Sequence, residues 1–89
     1  MFRMKNIVGS RVRIARHLYQ PKLTQAELSA RLQVSGWDID RAGVAKIESG
    51  IRQVTDIEVV KLARALNISP TWLLGETDDR KGDVLPQRW

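Results

Sequence analysis

The chain has 89 residues, enough for one small domain, and with 43% apolar and 28% charged residues it has a globular composition. It contains no cysteine and one histidine, which excludes a disulfide framework and leaves no ligand set for a transition metal. Basic residues outnumber acidic ones by 15 to 10, and ten of the basic but only four of the acidic residues lie in residues 1–52. Such a concentration of positive charge is expected where one face of a protein meets a polyanion.

The first predicted helix covers residues 7–19, along which apolar residues recur at helical spacing. Pro21 is expected to end it, because proline cannot continue a helix. Residues 1–25 contain no acid but six cations, which are Arg3, Lys5, Arg11, Arg13, Arg16 and Lys22. His17, a single histidine on this basic helix, is expected at the surface rather than as a metal ligand or a general base.

Each of the other four predicted helices begins after a residue that can cap it. Thr24 and Thr55 are each followed three positions later by a glutamate, which is the pattern of a capping box. Asp40 offers a carboxylate cap, and Ser69 precedes a proline at the first helical position. The predicted helices cover residues 25–33, 41–49, 56–66 and 70–74. Apolar pairs flank each cap at stapling distance, namely Leu23 with Leu28, Ile39 with Val44, Val54 with Val59, and Ile68 with Leu73.

These elements predict an all-α fold, a compact bundle of five short helices formed by residues 1–75. Residues 76–89 are charged and contain both glycine and proline, so they are expected to form a flexible tail.

The predicted helix 41–49 divides its side chains in an unusual way. Val44 and Ile47 point to one side, with Glu48 at the edge of that side. The opposite side combines small residues, which let a helix approach another surface closely, with two cations that can reach base edges or phosphates. A short solvated helix whose alanines only support helix formation would have the same composition. The outward side chains are Arg41, Ala42, Ala45, Lys46 and Ser49.

Glu48 needs a partner if it borders the core, because an unpaired carboxylate there is costly. Arg16 follows a core position of the first helix and is the expected partner. The alternative is that Glu48 turns to solvent and Arg16 is one more surface cation.

Several segments together resemble the Cro/phage-repressor (XRE-like) helix-turn-helix family. The resemblance covers about residues 7–75 and is carried by the strings LTQAEL at 23–28, KIESG at 46–50 and LARALNIS at 62–69. It implies a five-helix bundle of the lambda-repressor-like type in which helix 41–49 enters the DNA major groove. Members of the family generally bind as dimers to two half-sites.

The resemblance also implies roles for individual residues. The base-reading positions of the recognition helix are matched by Arg41, Ala42 and Lys46, with Ala45 a further candidate for a thymine methyl group. Phosphate contacts are implied for Thr24 and Gln25 at the start of the second helix and for Arg52 and Gln53 in the loop after Gly50. Arg11, Arg13, Lys22 and Ser49 are further expected to contact phosphates. Arg16 and Glu48 match a buried ion pair between the first helix and the end of the recognition helix.

The chain departs from the family pattern between the two helices of the motif. A turn of about three or four residues is usual there, whereas seven residues, 34–40, separate the predicted helices, so that 36–40 look like an insertion. A longer connection can alter the angle at which helix 41–49 meets the groove. Ile39 is expected to anchor the insertion on the bundle. Trp37 either covers the side of the bundle or contacts a partner or the DNA backbone.

The sequence therefore predicts a sequence-specific double-stranded DNA-binding transcriptional regulator, a repressor acting as a homodimer in the cytoplasm. The alternative is an antitoxin-like or phage-regulatory interaction module that holds a protein partner through residues 76–89 or Trp37 and binds DNA only for autoregulation. No nucleophile elbow, glycine-rich phosphate loop or metal-spaced acidic cluster is present, so no enzyme activity, cofactor or metal is expected. No apolar run reaches the roughly 18 residues of a membrane span, and the N-terminus lacks the apolar core of a signal peptide.

Overall fold

The computed structural model describes residues 3–81, which form five α-helices and, within that range, no β-strand. The all-α fold predicted from the sequence is confirmed. The helices are α1 Gly9–His17, α2 Gln25–Val34, α3 Arg41–Glu48, α4 Asp56–Leu66 and α5 Pro70–Leu73.

Side-chain caps determine where four of the helices begin. Thr24 and Thr55 each accept a hydrogen bond from the N–H of the glutamate three residues on, whose carboxylate accepts from the threonine N–H in return. Asp40 accepts from the N–H of Gly43 at 2.8 Å, and Ser69 accepts from the N–H of the residue three positions ahead at 3.3 Å. Each cap satisfies an N–H that has no partner within its helix, and all four predicted caps are confirmed.

Helix α1 is shorter at both ends than the predicted span 7–19. At its start, Oδ1 of Asn6 accepts from the N–H groups of Val8 and Gly9, at 3.0 and 2.8 Å, and so takes the place of a cap. At its end, the N–H of Leu18 is shared between two carbonyls of the last turn. The helix thus ends at His17, well before Pro21, and the prediction that Pro21 ends it was wrong.

The hydrophobic core lies where the inward faces of the helices meet. All the predicted stapling residues are buried except Val54, which is partly buried and packs against the core. Burial of these side chains is the main favourable contribution to folding. No disulfide adds to it, since the chain has no cysteine. The apolar residues of the core that are fully enclosed, each with 0–1% exposure, are Val8, Val12, Leu28, Leu32, Val44, Ile47, Leu62, Ala63, Leu66 and Leu73.

The start of α1 packs directly on the end of α3. A Cβ atom at Gly9 would overlap the carbonyl oxygen of Ile47 and lie 3.0 Å from that of Glu48, so this approach requires glycine. The Asn6 amide bridges the same region, donating to the carbonyl oxygens of Ile47 at 3.0 Å and Arg52 at 2.8 Å. These contacts fix the position of α3 relative to α1.

The connection between α2 and α3 is folded onto the bundle. Gly36 has φ 98°, a left-handed conformation that favours glycine, and it turns the chain out of α2. The N–H of Trp37 donates to the Leu32 carbonyl at 3.0 Å, and the Gln33 amide donates to the Ile39 carbonyl at 2.9 Å. Ile39 is 6% exposed, as its predicted anchoring role requires. The insertion therefore has a defined conformation in which Trp37 is half-buried against the core.

The chain beyond α5 contacts the bundle as far as the structure describes it. The N–H of Ser69 donates to the carbonyl of Arg80 at 2.7 Å, and the Lys81 ammonium donates to the carbonyl of Asn67 at 2.9 Å. The first six residues of the expected tail, 76–81, thus lie along the ends of α4 and α5. The remainder of that tail, residues 82–89, lies outside the described residues.

Candidate nucleic-acid interface

A concave surface lies where the end of α1, the start of α2 and the outer side of α3 meet. We call it the cationic groove, because four basic side chains line it against a single carboxylate, that of Glu48. Its lining residues are Arg13, Arg16, His17, Lys22, Thr24, Gln25, Ala26, Arg41, Ala45, Glu48 and Ser49.

Helix α3 has one face buried in the core and an opposite, exposed face that borders this region. Val44 and Ile47 are fully buried at 0% exposure, which turns the opposite side of the helix outward. Small side chains on that side allow another surface to come close to the helix backbone. Arg41, Ala42, Lys46 and Ser49 are exposed, and Ala45 is half-buried at the edge of the cationic groove.

Arg16 and Glu48 form an ion pair in the wall of the cationic groove. Arg16 donates from Nε and Nη2 to the two carboxylate oxygens, the Nη2 bond being 2.8 Å long, and the two side chains are only 6% and 5% exposed. Arg16 also donates to the carbonyl of Leu23 at 2.9 Å, and Gln25 donates to Glu48 at 3.1 Å. The pair therefore joins the three elements that form the groove. Because its two charges offset each other, the positive charge of the groove comes from Arg13, Lys22 and Arg41.

His17 lies in the cationic groove as well, and its surroundings disfavour protonation. Local desolvation lowers the pKa of the imidazole below its ordinary value of 6.5, and the charges of Lys22, Arg16 and Arg13 lower it further. Glu48 acts in the opposite direction but more weakly. The neighbouring cations thus add to desolvation in disfavouring the protonated imidazole.

Thr24 and Gln25 lie at the N-terminus of α2, where unpaired N–H groups and the helix dipole favour an anion. The N–H of Thr24 is already used by the capping box, but its hydroxyl, which accepts there, still has a proton to donate. The Gln25 side chain donates one amide hydrogen to Glu48 and keeps a second. This end of α2 can therefore offer donors to a phosphate.

Arg11 was expected to contact phosphates, but its guanidinium binds residues of α5 and of the segment that follows it. It donates to the carbonyl oxygens of Trp72 at 2.9 Å and Thr77 at 3.0 Å. It also lies 4.7 Å from the centre of the Trp72 ring and pairs with Asp78 at 3.4 Å. Because Arg11 holds residues 77–78 against α1 and α5 and does not line the cationic groove, we do not include it among the proposed phosphate contacts.

Arg52 was also expected to contact a phosphate and is likewise engaged within the protein. Its two terminal nitrogens bind both oxygens of Glu58, at 2.9 and 3.0 Å, and one of them donates to the Gln53 carbonyl at 2.7 Å. The hydrogen bond from Arg52 is the main cause that lowers the pKa of Glu58, and the same bond raises the pKa of Arg52. The guanidinium also lies 5.4 Å from the centre of the Trp37 ring. Arg52 thus holds the α3–α4 loop in place. Of the two loop residues expected to contact phosphates, Arg52 and Gln53, only the exposed Gln53 remains available for such a contact.

Comparison with known families assigns this architecture. The sequence profile of the helix-turn-helix family matches residues 13–73, from within α1 to the end of α5. The chain belongs to the Cro/C1-type (XRE-like) helix-turn-helix family. Helices α2 and α3 are the two helices of its motif, and the five-helix arrangement is the lambda-repressor-like fold. No curated protein matches the chain.

Membership in this helix-turn-helix family gives the chain a DNA-binding regulatory domain. In helix-turn-helix motifs generally, the second helix of the motif lies in the major groove and the first crosses the backbone. Among residues 3–81, no helix has the length and apolar character needed to cross a membrane.

Three residues that shape the interface were missed or undervalued by sequence reasoning. Asn6 and Gly9 hold α1 against α3, and His17, which is exposed as expected, also lines the cationic groove. An asparagine just before an apolar helical run is a recognised cap signal, so Asn6 could have been found. No sequence signal marks Gly9, because its role depends on contact with α3, far away in the chain.

Proposed function

We propose that the protein is a transcriptional repressor that binds specific double-stranded DNA sequences as a homodimer in the cytoplasm. The observation that carries this proposal is that the recognition-helix face and the cationic groove share one surface, with Arg41, Ala45 and Ser49 belonging to both. A duplex placed on that surface has its major groove on α3 and its phosphates against the groove. Bound at a promoter, such a dimer represses by excluding the transcription machinery.

Base reading falls to four side chains of the recognition helix. Arg41 and Lys46 are exposed cations that can donate to guanine acceptors, and the methyl groups of Ala42 and Ala45 suit contact with a thymine methyl. A good base contact of this kind discriminates against the wrong base by about 1–3 kcal/mol.

Phosphate binding supplies affinity rather than specificity. Arg13 and Lys22 provide the charges, while Thr24 and Gln25 provide donors at the start of α2. Ser49, which also lines the groove, and the exposed Gln53 in the loop after α3 complete the set. Residues 1–75 make up the proposed DNA-binding domain, and residues 76–81 pack on α4 and α5 without lining the groove.

The salt dependence of duplex binding tests the phosphate part of the proposal. It needs no knowledge of the operator, because nonspecific binding uses the same phosphate contacts. Fluorescence anisotropy with a labelled duplex, measured from about 50 to 200 mM salt, gives the slope of log affinity against log salt. We expect the variant Arg13→Ala/Lys22→Ala to reduce the magnitude of that slope by about 2, because each of the two removed cations would otherwise neutralise one phosphate.

A charge-matched control is provided by Arg80→Ala/Lys81→Ala, which removes two positive charges from residues that do not line the cationic groove. This variant should keep the slope of the unmodified protein. Equal slopes for both variants would show that the groove does not contact phosphates, and failure of the unmodified protein to bind any duplex would refute the proposed function.

A further inference from the structure

We propose that His17 is an additional contact of this interface with the DNA backbone and that it makes the contact as the imidazolium, so that DNA binding takes up a proton. The proposal rests on the DNA-binding function above and adds to it a residue and a dependence on pH.

The position of His17 supports a backbone contact. It is the last residue of α1 and lies one helical turn after Arg13, so the two side chains emerge on the same side of the helix. Both line the cationic groove together with Lys22, and His17 itself is exposed. An anion bound by Arg13 and Lys22 therefore lies within reach of the imidazole. Among residues 3–81, the imidazole has no hydrogen-bond partner that would compete with such an anion.

The charges around His17 disfavour the imidazolium in the free protein. Arg13 and Arg16 face it from its own helix, Lys22 from the connection to α2, and Arg41 and Glu48 line the same groove from α3. Glu48 is paired with Arg16 and offsets little of this charge. Desolvation and the cations keep the pKa of the free imidazole below 6.5, so most molecules are uncharged at neutral pH.

Bound DNA reverses this balance. Phosphates over Arg13 and Lys22 cancel the field that opposes protonation, and they offer an acceptor to the N–H groups of the imidazolium. The pKa of His17 is then higher in the complex than in the free protein. By linkage, the added affinity is fully present below the pKa of the free protein and is lost as the pH rises through the pKa of the complex. Affinity changes by up to about tenfold for each unit that separates the two pKa values.

The chain has a single histidine, which makes the direct test unambiguous. In the full chain, without a histidine tag, the imidazole Cε1 proton gives one NMR signal whose pH titration reports the pKa. We expect the midpoint to lie below 6.5 in the free protein and to rise by at least about one unit when a duplex is added.

Binding measurements with two variants give a second readout. Between about pH 6 and about pH 8, the unmodified protein should lose several-fold in affinity for a duplex. His17→Gln, which cannot take a proton, should lose much less. His17→Arg carries a permanent cation and should bind at the higher pH about as tightly as the unmodified protein binds at the lower pH. Thermal melts that match across the three proteins show that the fold is retained.

The outcomes separate the two levels of the proposal. If the protein binds duplex DNA but the His17 midpoint does not move, or His17→Gln keeps the full pH dependence, the role of His17 is refuted and the DNA-binding function stands. If no duplex is bound at any of these pH values, the DNA-binding function itself fails.

Discussion

Removing Glu48 tests how much of the fold depends on the buried ion pair. Glu48→Ala leaves the Arg16 guanidinium almost enclosed, with a side-chain exposure of 6% and only the Leu23 carbonyl remaining as a strong partner. The change also removes the acceptor of the Gln25 side chain. An uncompensated buried charge is the main cost, since the arginine cannot lose its proton.

The expected loss is large relative to the stability of a small domain. Breaking a buried pair by removing one partner costs about 3–5 kcal/mol, while the whole free energy of unfolding is about 5–15 kcal/mol. Glu76→Ala is the control, because Glu76 is exposed and a surface substitution of this kind changes stability by about 0.5 kcal/mol or less.

Urea unfolding followed by circular dichroism measures both losses. Glu48→Gln gives a milder second variant, in which the amide oxygen still accepts from Arg16, and it should fall between Glu48→Ala and the unmodified protein. Replacing both partners, as Arg16→Met/Glu48→Leu, should recover a large part of the loss because no buried charge remains. Equal losses for Glu48→Ala and Glu76→Ala would refute the view that the pair holds α1, α2 and α3 together.

Two further predictions concern the elements that hold α3. Gly9→Ala should lower the free energy of unfolding, because overpacking against the Ile47 backbone costs about 1–3 kcal/mol and outweighs the gain of up to about 1 kcal/mol from helix propensity. The control is Ser10→Ala at the exposed neighbouring position. A gain in urea stability for Gly9→Ala, or a loss no larger than that of Ser10→Ala, would contradict the close approach of the two backbones. Arg52 lowers the pKa of Glu58, so the stability from that carboxylate is present above about pH 4.5 and is lost as the pH falls through its folded-state pKa. The difference in melting temperature between the unmodified protein and Glu58→Gln should therefore shrink on acidification, and a difference that stays constant would refute the contribution of the pair.

Both ends of α3, the proposed recognition helix, are held by contacts within the protein. At its start, Asp40 caps the helix and Ile39 is buried beside it. At its end, Asn6 binds the Ile47 carbonyl, and Glu48 is paired with α1. The angle of α3 is thus fixed in the free protein, although the connection before it is longer than the usual turn.

The local features of the fold could be predicted from the sequence because their causes are local. A capping threonine and its glutamate lie three residues apart, as in Thr24 and Glu27, and stapling pairs such as Ile39 and Val44 are also close in the chain. The partnership of Arg16 with Glu48 was predictable for a different reason, namely that a carboxylate beside the core is costly without a cation and that the family resemblance implies this pair.

The partners of the other cationic side chains could not be predicted in this way. Arg11 and Arg13 are both basic residues near the start of the chain, yet Arg11 reaches a carbonyl 61 positions away and Arg13 lines the cationic groove. Whether an arginine meets a phosphate or a carbonyl depends on which distant segment packs beside it. For the same reason, the sequence did not show that Trp37 would lie under Arg52.

The most direct test of the central claim is the selection of bound duplexes from a random pool. It should be run with the unmodified protein, with Arg41→Ala/Lys46→Ala, and with the charge-matched control Arg80→Ala/Lys81→Ala. We expect the unmodified protein and the control to enrich the same sequence, with two related half-sites, while Arg41→Ala/Lys46→Ala loses that enrichment but still binds duplex DNA at low salt. Enrichment of the same sequence by Arg41→Ala/Lys46→Ala, or of no sequence by the unmodified protein, would contradict base reading by α3.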